Sequence, residues 1–279
     1  MKHLLLFITL LYIIGNPLQG QTPNVSFREF ELNVLTWQET AKKSTTDSIK
    51  EAVMENLQKT FSKLLEDPQS FSYSFDTLKN IGKLNGPEKE FRIFTWNIFL
   101  SNNTSKNYGI IQMNPGKNEK CEVFSLIDNT NLDNVGNISL KPNNWYGALY
   151  YKVIATKVGR LKYFTLLGLD LSTDIISKKV IDVLYFENSQ PILGAPIFNI
   201  SNKLQSRMVF SFSARVTMML NYDEAIKTIV YDHLSPSETR YTGQYEYYGP
   251  DFSFDGLVFK KGQWIYTPDV MPNKPTRNK

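Results

Sequence analysis

The spacing of hydrophobic positions changes once along the chain, near residue 90. Before that point apolar residues recur every three or four positions, which is the period of an amphipathic α-helix. After it apolar and polar residues alternate, which is the period of a half-buried strand. The pattern predicts an α+β fold, in which an N-terminal helical segment (residues 21–89) packs on a large antiparallel β domain (residues 90–270). That domain is expected to be a barrel or a sandwich.

Two helices are predicted in the N-terminal segment. The apolar residues of the first helix, which should end near Lys43, are Phe27, Phe30, Val34 and Leu35. The second carries an apolar stripe that we expect to pack on the β domain, formed by Ile49, Val53, Leu57, Phe61 and Leu64. Ser48 and Glu51 fit the capping-box pattern at its start. The helix should end near Asp67, because proline at the next position disfavours helix in the residue before it.

About eleven strands are predicted after residue 90, joined by short connections. They span residues 91–99, 108–113, 121–127, 145–156, 163–169, 180–186, 208–212, 216–222, 228–232, 257–259 and 264–266. Turn residues at 158–160, 223–227 and 260–263 indicate hairpins. Parallel strands need crossovers of helical length, and no such spacers occur between the predicted strands. An antiparallel sheet system is therefore expected.

The first twenty residues have the pattern of a cleavable signal peptide. A basic start at Lys2 precedes an apolar run from Leu4 to Ile14, and Pro17 breaks the run. At ~1.5 Å per residue this run is too short to cross a hydrocarbon core of ~30 Å. The sequence predicts an exported protein, periplasmic or secreted, with no transmembrane segment. The opposite end, residues 271–279, is rich in proline and basic residues and is expected to be disordered.

The composition limits the cellular compartments in which the protein is expected and the partners that it is expected to bind. Cys121 is the only cysteine, so an intramolecular disulfide is impossible, which is more typical of a bacterial envelope than of a eukaryotic secretory pathway. The formal net charge is +4, without an extended basic cluster. This balance argues against nucleic acid or an anionic membrane surface as a partner.

Several common catalytic and metal-binding motifs are missing from the sequence. The nucleophile elbow, the zinc-protease helix motif, the paired-cysteine motif and the phosphate-binding glycine loops do not occur. Once a signal peptide is removed, His233 is the one remaining histidine. A site built from several histidines is thereby excluded. Asp232 and His233 at a strand end are retained as ligand-binding candidates, and no metal or cofactor is predicted.

The most distinctive stretch is the aromatic segment 241–256, YTGQYEYYGPDFSFDG. Asp251, Ser253 and Asp255 have the oxygen spacing of the first half of a calcium loop, but the acidic residue expected at position twelve is absent. The spacing of Asp170 and Asp174 is similar. A turn that leads into a strand, with Phe252 and Phe254 buried on one face, is the favoured interpretation.

A sugar-binding interpretation of the same stretch stays open. Asp251 and Asp255 could act as the two carboxyl groups of a glycosidase. The aromatic platform would then be formed by Tyr245, Tyr247, Tyr248 and Trp264.

Four segments resemble an exported protein family of Bacteroidetes bacteria. They are residues 91–97 (FRIFTWN), 144–152 (NWYGALYYK), 231–234 (YDHL) and 247–256 (YYGPDFSFDG). The resemblance implies export and a β-rich fold, and it supplies no catalytic residues. The functional expectation is a non-catalytic binding or envelope-associated protein whose ligand is a protein, a small molecule or a glycan. The alternative is a hydrolase that acts on envelope or dietary polymer through acidic residues.

We predict that the mature protein begins at Gln21 or Thr22, because the apolar run and Pro17 place the cleavage point there. Mass spectrometry of the protein isolated from its native host measures this terminus directly. Recovery of a chain that keeps Met1 from the envelope fraction would contradict export.

Overall fold

The computed structural model describes residues 26–129, 132–171, 173 and 175–271. The predicted signal peptide, residues 1–20, lies outside the described residues, as does the predicted tail apart from Met271. Among the described residues two helices come first and antiparallel sheets follow, which confirms the α+β class.

Helix α1 spans Phe27–Lys43 and helix α2 spans Asp47–Leu64. The Ser26 hydroxyl caps α1 by accepting a hydrogen bond from the Glu29 amide at 3.2 Å. The predicted capping box of α2 is wrong, because the helix starts two residues earlier, with Thr46 at the N-cap. The Asp47 carboxylate in its first turn instead accepts hydrogen bonds from the Ser101 amide, at 3.0 Å.

The buried face of α2 is rotated relative to the predicted stripe. Leu57 and Phe61 are fully buried, as expected, but the Ile49 side chain is half exposed. Met54 and Gln58 are buried on this face. The polar side chain of Gln58 has hydrogen-bond partners in this buried position, since its amide nitrogen donates to backbone carbonyls of the underlying sheet at 2.8 and 3.0 Å. Apolar spacing alone does not reveal such a buried glutamine.

Fifteen strands lie in the described residues, most of them near their predicted positions. They are β1 Gly82–Asn85, β2 Phe91–Phe99, β3 Ser105–Met113, β4 Val123–Ile127, β5 Leu149–Val158, β6 Leu161–Asp170, β7 Ile176–Glu187, β8 Gln190–Leu193, β9 Phe198–Ile200, β10 Lys203–Gln205, β11 Met208–Ser213, β12 Leu220–Asp223, β13 Thr228–Pro236, β14 Tyr248–Lys260 and β15 Gln263–Thr267. The unpredicted β1, β8, β9 and β10 have three or four residues each, too few to show a period. Strand β1 also lies before residue 90 and pairs with β2, so the first sheet includes part of the segment expected to be helical.

The strands form three sheets. The first has the order β1-β2-β3-β4, the second β11-β7-β6-β5 with β8 on β7, and the third β10-β9-β15-β14-β13-β12. Neighbouring strands are antiparallel except β15 and β9. Within the described residues none of the sheets closes on itself, so the sandwich form of the prediction is confirmed.

The sheets and helices stack as four layers around three hydrophobic cores. Phe94 and Trp96 of β2 face the helices, whereas Phe91 and Ile93 of the same strand face the second sheet. In β7 the same alternation sends Val180 and Leu184 toward the first sheet, while Ile181 and Val183 face the third. Strands buried on both faces follow from this stacking. Among the described residues no helix is long and apolar enough to span a membrane.

Replacing Leu57 by alanine should lower the free energy of unfolding by about 2–5 kcal/mol, since it removes a fully buried side chain between α2 and the first sheet. Ile49→Ala on the same helix is the matched control, and its effect should stay within about 0.5 kcal/mol. Denaturant unfolding monitored by tryptophan fluorescence measures both. Equal losses in the two variants would contradict the packing of α2.

Candidate functional site

A β-bulge interrupts the pairing of β13 and β14 and creates the candidate site. Tyr231 pairs with Asp255, but two rungs beyond them Leu234 pairs with Pro250. Three residues of β14, 251–253, therefore lie opposite the single residue His233. Bulges of this kind redirect side chains and are common beside functional sites.

The bulge brings His233 between two carboxylates. Its Nδ1 lies 2.7 Å from Oδ2 of Asp255, and its Nε2 lies 4.0 Å from Oδ2 of Asp251. The side chain of His233 is 45% exposed, that of Asp251 33% and that of Asp255 10%. One carboxylate is thus nearly buried and the other lies at the surface, with the imidazole joining them. The structure therefore brings together three candidates from the sequence, His233, Asp251 and Asp255, in one partly exposed cluster.

The electrostatics of this cluster favour a protonated imidazole. The hydrogen bond to Asp255 raises the pKa of His233 above its ordinary value, against an opposing effect of partial burial. Hydrogen bonds from Ser253 hold the pKa of Asp251 below its ordinary value. The Ser253 hydroxyl and amide donate to Oδ1 of Asp251 at 2.7 and 3.1 Å. Burial, followed by the charge of Asp255, raises the pKa of Tyr266 on β15.

Phe252 at the centre of the bulge is almost fully exposed, which corrects the predicted burial of this residue. Its side chain is 94% accessible and its φ angle is +70°. That conformation is uncommon for a residue with a bulky side chain. Phe254, which lies beyond the bulge, is half-buried. The strand that was expected to follow a turn here begins earlier, because Phe252 and Phe254 already belong to β14.

A cluster of tyrosines precedes the bulge along the chain. The rings of Tyr241 and Tyr247 stack with their centroids 4.0 Å apart, and those of Tyr245 and Tyr248 lie 5.1 Å apart. The Tyr248 hydroxyl accepts a hydrogen bond from the Gly243 amide at 3.0 Å, which fixes the loop onto β14. Tyr245 and Tyr247 remain more than two-fifths exposed. Tyr248 therefore holds the more exposed tyrosines of this cluster against strand β14.

Two sequence candidates have structural roles elsewhere. The Asp232 carboxylate accepts a hydrogen bond from the Met219 amide at 2.6 Å, which fastens the segment before β12 to β13. Trp264 is fully buried, and its indole N–H donates to the Thr165 hydroxyl at 2.9 Å across the second and third sheets. A buried ring cannot stack on a ligand at the surface. Trp264 therefore does not contribute to the predicted sugar platform.

Asp251, Ser253 and Asp255 are not arranged as a cation site. Asp251 and Asp255 lie along an extended strand, and Ser253 donates to Asp251 with its hydroxyl. Among the described residues no three side chains of histidine, cysteine, aspartate or glutamate are placed to hold a metal ion. Of the second calcium-like motif, residues 172 and 174 lie outside the described residues.

Comparisons of the chain with protein-family models, with curated proteins and with solved structures return no match.

The protonated His233 should make the protein more stable at mildly acidic pH than at alkaline pH. A raised pKa in the folded state gives a contribution that is complete below the ordinary value of 6.5 and is lost as pH rises through the raised value. Denaturant unfolding between about pH 6 and 9 should show this decline. His233→Gln, which cannot take up a proton, should remove that part of the decline. An identical pH profile in the two proteins would contradict the assignment.

Proposed function

We propose that the protein is exported and acts by binding a glycan, without catalysing its cleavage. The observation that carries the proposal is the exposed Phe252, held at positive φ beside the charged cluster of His233, Asp251 and Asp255. A single exposed apolar residue is ordinary at a protein surface. A backbone conformation that costs about 1–3 kcal/mol in addition is retained chiefly where it serves a function.

The composition of this surface suits a sugar. Sugars present apolar ring faces that stack on aromatic side chains and hydroxyl groups that need hydrogen-bond partners. Tyr245, Tyr247 and Phe252 supply exposed rings along one stretch of chain, and Phe252 lies four positions from Tyr248 on β14. The partly exposed carboxylate of Asp251, the neighbour of Phe252 in the chain, supplies a hydrogen-bond acceptor.

The geometry gives less support to the alternative, a hydrolase that uses the two aspartates. A glycosidase needs its two carboxyl groups on opposite sides of the scissile bond, with one of them free to donate a proton. Here the imidazole of His233 occupies the space between them and bonds to Asp255. Ser253 occupies one oxygen of Asp251. Both carboxylates are thus used to shape the bulge.

Export is supported by three independent sequence features. These are the pattern of residues 1–20, the single cysteine and the resemblance to exported Bacteroidetes proteins. A binding protein in the periplasm or outside the cell would meet envelope or dietary glycans there. The proposed location and the proposed ligand class therefore agree.

Affinity electrophoresis in gels that contain soluble polysaccharides tests the proposal. A panel of starch, dextran, mannan and peptidoglycan fragments covers the main envelope and dietary polymers. At least one should retard the protein, and Phe252→Ala should weaken the interaction about fivefold or more through loss of one stacking contact. Leu161→Ala, which removes another exposed apolar side chain on a different sheet, is the matched control and should bind normally.

Two results would contradict binding without catalysis. One is an unchanged affinity in both Phe252→Ala and Tyr247→Ala, which would place any ligand elsewhere. The other is release of reducing sugar ends from a polymer by the wild-type protein that disappears in Asp255→Asn. That second result would establish the hydrolase.

A further inference from the structure

A separate cavity of about 590 Å³ lies on the first sheet, between β1, β2 and the segment that follows α2. Its charged lining consists of Lys83, Lys89, Arg92 and a single carboxylate, Asp76. The rings of Phe71 and Phe94 form part of its wall. The volume falls in the range of small-molecule sites, about 300–1,000 Å³. The cavity combines a surplus of positive charge with aromatic surface.

Arg92 is the unusual member of this lining, because it is buried without an anionic partner. Only 8% of the residue is exposed. Its guanidinium donates to the carbonyls of Tyr73 and Ser70, both at 2.7 Å, and to the side-chain oxygen of Gln112 at 3.0 and 2.7 Å. All of these acceptors are uncharged. Among the described residues no carboxylate lies within ion-pair distance of Arg92.

The energetic consequence is a positive charge that the protein itself does not neutralise. Buried charges in proteins are ordinarily paired, because desolvation penalises an isolated ion. Three phenylalanine rings, 5.0 to 5.5 Å from the guanidinium carbon, compensate part of the charge through cation–π contacts. Burial nevertheless lowers the pKa of Arg92 to about 10. An anion that enters the cavity would supply the missing negative charge.

The two lysines are held at the rim of the cavity. Lys83 donates to the Phe75 carbonyl at 2.6 Å, and the carbonyl of Lys89 accepts from the Asn114 side chain at 2.8 Å. Lys89 has a φ angle of +58° at the turn between β1 and β2. Both residues are solvent-exposed, so they can attract an anion from solution without a large desolvation cost.

We propose that this cavity binds a small organic anion, with its carboxylate or phosphate toward Arg92 and its flat apolar body against Phe71 and Phe94. Asp76, whose carboxylate accepts from the Ser74 hydroxyl at 2.7 Å, disfavours ligands that carry a second anionic group. The ligand class is therefore a monoanion or a simple phosphate ester that carries one ring. The site is distinct from the aromatic surface around Phe252 and does not depend on its function.

Isothermal titration calorimetry of the full chain with benzoate, phenyl phosphate and the neutral benzyl alcohol tests the proposal. At least one of the two anions should bind saturably with one site per chain, and added sodium chloride should weaken the binding. The preferred anion shows whether the site takes carboxylates or phosphates. Benzyl alcohol should not bind, because it lacks the charge that Arg92 requires.

Substitutions of the two rim lysines distinguish binding in this cavity from nonspecific electrostatic attraction. Lys83→Gln and Lys89→Gln should each weaken binding about fivefold, as expected for one partly exposed charge contact. Lys59→Gln on the exposed face of α2 removes the same charge outside the cavity and should bind normally. Arg92→Lys should weaken binding about tenfold or more, because the three N–H groups of lysine cannot bond to Ser70, Tyr73 and Gln112 and also reach the ligand. If Arg92→Lys does not fold, the affinities of Lys83→Gln and Lys89→Gln test the proposal.

Three results would overturn the proposal. The first is the absence of saturable binding for both anions. The second is equal binding of benzyl alcohol, which would indicate an apolar pocket. The third is an equal loss of affinity in the rim variants and in Lys59→Gln, which would indicate attraction by net charge alone.

Discussion

The ion pair between Arg207 and Asp182 is the interaction on which the layered core depends. Nε of Arg207 lies 2.9 Å from Oδ2 of Asp182, and neither side chain has any exposed surface. Burial of two charges is costly unless each is fully engaged, and removal of one partner leaves the other uncompensated in an apolar interior. The Tyr150 hydroxyl donates to the same aspartate at 2.9 Å. Arg207 also donates to the Val135 carbonyl at 2.9 Å, so β7, β5 and the segments before β5 and β11 meet at one point.

The backbone around this pair is adapted to it. Gly194 has a φ angle of +95°, and a Cβ atom there would lie 2.7 Å from the Ile138 carbonyl and 3.2 Å from the Arg207 guanidinium. Only glycine allows such an approach in that conformation. The turn after β8 can therefore pass closely over the arginine and exclude water from it. The sheets then close around a charge pair that is neutral overall and has no solvent-accessible surface.

Compensation of charge distinguishes the core from the two surface sites. In the core Arg207 faces Asp182, so the two charges neutralise each other. At the bulge, two carboxylates share one imidazole. In the cavity on the first sheet, three cations face one carboxylate. The surplus charge of each surface site is the basis of the ligand proposed for it, which is a sugar with hydroxyl donors at the bulge and an oxyanion beside Arg92.

The sequence by itself determined the class of fold and the position of most elements. The change of period near residue 90 is a local property of the chain, and helices α1 and α2 precede it while strands β2 to β15 follow it. The sequence also singled out His233, Asp251 and Asp255 as residue types suited to a site. It could not bring them together, because their contact depends on the register of β13 against β14.

Tertiary structure alone decided the rest. The bulge reversed the predicted burial of Phe252, since an irregular pairing breaks the alternation on which such predictions rest. The stacking of sheets buried Trp264 and removed it from the predicted platform. The uncompensated charge of Arg92 is invisible in the sequence, where an arginine on an alternating strand resembles any solvent-facing residue. Whether a charge is paired depends on what folding places around it, and that is a property of the packed layers and not of the chain order.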